Sequence, residues 1–89
     1  MIAKNVTILN MKGLHARAAA KLSGVCQQFQ ATVWIGKGLR KVDGSSILEL
    51  LSLGAECGSQ IIVEADGADE KEAIEQVARL IAGRFDESS

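Results

Sequence analysis

Proline is missing from this 89-residue chain and aromatic residues make up only 3% of it, so Leu, Ile, Val and Ala must fill the interior. Cysteine is nearly as sparse. Cys26 and Cys57 stand far apart and form no CxxC pair, and a single histidine leaves a structural zinc site without its usual ligands. Both cysteines read as reduced small hydrophobes, which fits a cytoplasmic protein. No segment approaches the roughly 20 apolar residues that cross a bilayer, and Met1-Ile2-Ala3-Lys4-Asn5 lacks the apolar run of a secretory signal. An excess of charge is also missing: the formal net charge is −1 and no basic stripe is evident, so neither nucleic acid nor an anionic membrane is an expected partner. No repeat, low-complexity stretch or linker marks a boundary, and residues 1–89 are expected to form one domain. Hydrophobic residues, at 47%, suffice for its core without disulfides or metals.

What is present is a clean succession of hydrophobic periods. Segment 2–9 alternates, Val6 and Ile8 against Asn5 and Thr7, as a half-buried strand does. From 16 to 29 the period lengthens, and Ala18, Leu22, Val25, Cys26 and Phe29 fall on one helical face. Segment 31–36 alternates again, and Gly36-Lys37-Gly38 reads as a hairpin turn into a short strand near 39–42. Asp43-Gly44-Ser45-Ser46 then opens a helix over 46–53, with Ser46 and Glu49 at capping-box spacing and Gly54 closing it. A strand over 60–66 has Ile61, Val63 and Ala65 on its inner face, and Asp66-Gly67 turns the chain. Asp69 is placed to cap a last helix whose Ile74, Val77, Ala78, Ile81 and Phe85 form an apolar stripe. Glu70 and Glu72 in its first turn and Arg79 and Arg84 near its end suit the helix dipole, and residues 86–89 are expected to fray.

The order β-α-β-β-α-β-α predicts an α+β open-faced sandwich, a four-stranded, mainly antiparallel sheet with three helices on one face. Trp34 falls on the uncovered face, where a half-exposed strand tryptophan is ordinary.

The informative stretch is Gly13-Leu14-His15-Ala16-Arg17-Ala18-Ala19-Ala20, where the first strand gives way to the first helix. The opening turn of a helix leaves N–H groups unpaired and carries partial positive charge, which together attract an anion. A neutral imidazole at His15 is a nucleophile, and a phosphoryl group on it would lie over the backbone N–H of Ala16 and that of Arg17. The Arg17 guanidinium is placed to pair with phosphate oxygens as a fork. On chemistry alone, however, a lone histidine beside an arginine is more often an ordinary surface residue.

Gly13-Leu14-His15-Ala16-Arg17 resembles the active-site motif of the HPr family, the histidine phosphocarriers of the phosphoenolpyruvate-dependent sugar phosphotransferase system. Ser46-Ile47-Leu48-Glu49-Leu50-Leu51-Ser52-Leu53-Gly54 is similar to the family's regulatory-serine helix, and Gly67-Ala68-Asp69-Glu70 also matches. The likeness runs from about residue 4 to 85. It implies that His15 accepts phosphate at Nδ1 from enzyme I and passes it to an EIIA protein, with Arg17 helping to hold the group. It implies too that Ile47, Leu48 and Leu51 form an apolar docking patch, Leu48 and Leu51 being the residues expected to be exposed. Ser46 aligns with the serine that HPr kinase/phosphorylase modifies in some bacteria, although serine is a preferred N-cap regardless of signalling. A monomeric carrier without a cofactor, not a stand-alone enzyme, is the expectation.

The chain departs from the usual pattern in several places: Ser45 stands where a lysine commonly precedes the serine, and Glu49 where a glycine is common. Ala18 replaces the proline that commonly follows the arginine, a residue that favours a helix start without being chemically required. The Ala16-Arg17-Ala18-Ala19-Ala20 run and the Gly83-Arg84-Phe85-Asp86-Glu87 ending also resemble NPr, the nitrogen-related paralogue. A rival from another class is an amino-acid-binding module of the ACT type, which alternates strands and helices but needs neither His15 nor Arg17.

Overall fold

In the computed structural model, which describes residues 1–89, the alternating segments form four strands and the longer periods three helices. They are β1 (Ile2–Thr7), α1 (Ala16–Cys26), β2 (Thr32–Lys37), β3 (Arg40–Asp43), α2 (Ile47–Ser52), β4 (Gln60–Asp66) and α3 (Glu70–Ala82), followed by a 3-10 turn over Arg84–Asp86. The strands order themselves β1-β4-β2-β3, every pair antiparallel. This is the expected open-faced α+β sandwich. Period-2 alternation sends Val33, Ile35, Ile61, Val63 and Ala65 into the core, where they meet Ala18 and Leu22 of α1, Leu50 of α2, and Ile74, Val77 and Ile81 of α3. The opposite face carries Trp34, half-buried, with Lys41 Nζ 5.2 Å from its ring centroid, so an aliphatic stem and a cation cover part of the indole. Lys41 is tied in turn to Glu64 at 3.1 Å.

Several ends differ from the sequence expectation. Helix α1 stops at Cys26, short of Phe29. The connection that follows is held from far along the chain: the Asp69 carboxylate accepts from the backbone N–H of Gln30 (2.9 Å) and of Ala31 (2.7 Å). Asp69 therefore pins the α1–β2 connection and makes no side-chain cap on α3. Glu70 serves that corner instead, accepting from Gly67 N–H at 3.1 Å. Lys37 belongs to β2 and pairs with Arg40, which narrows the hairpin turn to Gly38-Leu39. The capping box is half built. Ser46 Oγ accepts from Glu49 N–H at 3.3 Å, but the Glu49 carboxylate accepts from Asp43 N–H at 3.4 Å rather than from Ser46.

The largest departure is at the C-terminal end. Helix α3 ends at Ala82, leaving Arg84 outside its last turn, and Arg84, Phe85 and Asp86 take φ of 58°, 52° and 64°. Three left-handed residues in a row reverse the chain and drive the Phe85 ring, wholly buried, into the core. Residues 86–89 consequently do not fray. They fold back toward α1, Lys21 Nζ donating to Phe85 O at 2.8 Å and Met11 N–H to Ser89 O at 3.2 Å.

The two backbone N–H groups on Asp69 hold its carboxyl below the ordinary Asp value, and that has a direction in pH. A lowered value means stabilisation that is complete above the unfolded value of about 3.9 and fades as pH falls through the folded one. Asp69→Asn is expected to lower the urea midpoint at neutral pH and to flatten its acid dependence. A variant whose midpoint tracks wild type from pH 7 to pH 3 would contradict this.

Candidate functional site

The segment between β1 and α1 is shaped by a close backbone approach. Gly13 takes φ +67°, and a Cβ there would lie 2.6 Å from Ala55 O and 2.8 Å from Glu56 Cα. Leu14 N–H donates to the same Ala55 carbonyl at 2.9 Å, and Leu14 is buried. His15 follows as the N-cap of α1, extended at φ −81° and ψ −179°, its carbonyl accepting from Ala19 N–H at 2.8 Å. Its ring makes no capping bond to its own helix, so the imidazole is available to other partners. Ala16 and Arg17 occupy the first turn, whose N–H groups have no acceptors inside a helix.

The ring has one protein partner. His15 Nε2 meets Glu87 Oε2, and the other Glu87 oxygen accepts from Asn10 Nδ2 at 3.0 Å. Asn10 is fully buried and also donates to Gly13 O at 2.8 Å, so one amide ties the tail carboxylate to the glycine loop. Its Oδ1 has no partner. The hydrogen bond with His15 holds the Glu87 carboxyl below the usual carboxylate range, with Asn10 and the positive charges of His15 and Lys12 adding to it and desolvation opposing.

Beside the ring lies a polar depression walled by Lys12, Arg17 and Lys21 on one side and by the tail from Asp86 to Ser89 on the other. Arg17 is exposed and engages no carboxylate, while Lys21 stands 3.9 Å from Asp86. Three cations line this depression, which reaches the imidazole through Glu87, and their charge suits an anion on the tail side of α1. Of the residues picked out from sequence, His15, Ala16 and Arg17 share this site. Asn10, Lys12 and Glu87 were missed. Glu87 is separated from His15 by 72 positions, and neither carries a local motif that pairs them.

The second block lies on α2, which packs beside α1. Ser23 Oγ of α1 donates to Ser45 O at 2.8 Å, fixing the entry to α2 against the first helix. Ser46 is the half-buried N-cap of α2, its hydroxyl occupied by the Glu49 N–H. Leu50 is buried, whereas Ile47, Leu48 and Leu51 are 41%, 81% and 38% exposed, an apolar edge with no partner in the chain.

A family described as "PTS HPr component phosphorylation site" matches residues 2–83. The chain is 42% identical over 87 residues to the phosphocarrier protein HPr of Cupriavidus necator, covering 98% of each. It is 38% identical to the phosphocarrier protein NPr of Shewanella violacea, covering 97% of this chain and 94% of that one. Among solved structures, HPr-C-His from Thermoanaerobacter tengcongensis superposes with a TM-score of 0.96 at 36% identity, covering all of both chains. Together with a histidine at the start of α1 whose ring caps no helix, these likenesses identify the chain as a member of the HPr family, the phosphocarrier proteins of the phosphotransferase system.

Proposed function

We propose that His15 is the phosphorylated residue, and that residues 1–89 act as one cytoplasmic carrier that takes its phosphoryl group from enzyme I and delivers it to EIIA proteins. The observation that carries this reading is the placement of His15: a ring that caps no helix, with Nε2 engaged by Glu87 and Nδ1 left for attack, next to unpaired first-turn N–H groups. A group on Nδ1 would find the N–H of Ala16 and of Arg17 at the helix start and the Arg17 guanidinium as a forked partner. Such a chain has no turnover of its own. It is itself the substrate of one enzyme and the donor to the next.

Ile47, Leu48 and Leu51 supply the contact surface that successive partners share, since an apolar edge of this kind is worth more buried against a partner than in water. One exposed face used in turn suits a monomer. Ser46 is a candidate phosphoserine for an HPr kinase/phosphorylase. A phosphate there gains from the start of α2 and is opposed by Glu49, and its dianion beside the apolar edge would slow enzyme I docking.

The HPr reading is preferred to NPr on the Gly13–Arg17 motif. Charging in parallel by the sugar-branch and the nitrogen-branch enzyme I, each with phosphoenolpyruvate, tests it. Faster charging by the sugar-branch donor, followed by transfer to a sugar-branch EIIA, is the expected result. Preference for the nitrogen-branch donor would move the chain to the regulatory branch. Charging by neither would remove the carrier reading.

A further inference from the structure

The tail carboxylate has no part in the anion site as the motif defines it, yet it is the one group that touches the imidazole. We infer that Glu87 is a positioning residue that holds a proton on His15 Nε2 before and after phosphoryl transfer, thereby fixing Nδ1 as the attacking atom and keeping the phosphohistidine in its labile, protonated form. The inference rests on the carrier reading above.

Geometry supplies the argument. A carboxylate accepts and does not donate, so its contact with Nε2 selects the ring form in which Nε2 bears hydrogen and Nδ1 bears the lone pair. Glu87 cannot easily turn away, because Asn10 Nδ2 grips its second oxygen at 3.0 Å from a fully buried position, and the reversed Arg84–Asp86 turn delivers it from the core-anchored Phe85. In the transfer itself, the Nδ1 lone pair forms a bond to phosphorus as the bond between phosphorus and the donor breaks, its electron pair leaving with the donor. The Nε2 proton stays where it is. The product ring is then cationic, phosphorylated on Nδ1 and protonated on Nε2, with the carboxylate facing its charge. When an acceptor attacks phosphorus, the N–P electron pair returns to Nδ1 and a neutral imidazole departs. Without the Nε2 proton, an imidazolate would have to leave, which is far less favourable.

The other charges nearby line the depression that Glu87 shares, and they are of both signs. Lys12 precedes the helix, Arg17 and Lys21 lie on α1, and Asp86 sits on the tail against Lys21. None of them is bonded to the imidazole, so the negative charge at Nε2 is that of Glu87 alone.

Glu87→Gln keeps the shape and an acceptor oxygen but removes the charge, which isolates the effect. Wild type and variant are phosphorylated with enzyme I and phosphoenolpyruvate, freed of both, and followed by intact mass for loss of phosphate from pH 5 to pH 9. The Glu87→Gln phosphoprotein is expected to outlive wild type by about tenfold at neutral pH, the two lifetimes converging in acid where both rings are protonated. Identical lifetimes across the range, with the wild type normally charged, would overturn the inference and leave the carrier reading intact. A wild-type chain that accepts no phosphate would overturn both.

Discussion

Phe85→Ala is expected to lower the free energy of unfolding by roughly 3–5 kcal/mol, the cost of emptying a fully buried aromatic site that cannot collapse. The ring is wholly buried in the main core cluster. It is also what makes the turn around it worth forming. Arg84, Phe85 and Asp86 all have positive φ, a region that disfavours L residues by about 1–2 kcal/mol each. Burial of the phenyl ring offsets that, with help from Lys21 Nζ on the Phe85 carbonyl. Once the ring is gone, the reversal has little to hold it, and residues 86–89 should leave α1. Urea unfolding reads the first effect. Loss of the His15–Glu87 contact, seen as a change in the 15N shifts of the ring, reads the second. A loss under about 1 kcal/mol, small for a buried aromatic, with an unchanged ring spectrum, would show that the tail is held by something else.

Gly13→Ala is the other substitution with a large expected effect, because it combines backbone strain with a clash that no side chain can relieve. The added methyl would sit 2.6 Å from Ala55 O and 2.8 Å from Glu56 Cα, both backbone atoms, at φ +67°. A destabilisation of about 2–4 kcal/mol follows from the left-handed strain and the overpacking together. The loop must back away from the α2–β4 connection, which strains the Leu14–Ala55 bond and moves Gly13 O from Asn10. His15 comes next in the chain after Leu14, so charging by enzyme I should fall as well, even at temperatures where the variant stays folded. A variant with wild-type stability and charging would mean that the close approach is not needed to place the ring.

How much of this was legible in the sequence depends on how far apart the causes lie. The strands and helices announced themselves through local period, and even Trp34 on the open face followed from alternation in 31–36. His15 was legible because its motif is contiguous. What escaped notice was decided at long range. Asp69 has the residue type and position of an N-cap, yet its acceptors are spent on Gln30 and Ala31, 39 and 38 positions away. Phe85 continues the helical stripe of α3 in register, so nothing local separates an added helical turn from the left-handed reversal that the core imposes. With the tail expected to fray, Glu87 had no reason to be placed beside His15. The sheet order β1-β4-β2-β3 likewise depends on which hydrophobic faces meet, a matter that periodicity in single segments does not encode.

The central claim is that His15 carries a phosphoryl group, and intact-mass analysis after incubation with phosphoenolpyruvate and enzyme I tests it most directly. The account predicts a gain of one phosphoryl group that is lost on mild acid treatment, and no gain in a folded His15→Ala variant. An acid-stable gain, or one that survives the loss of His15, would contradict it.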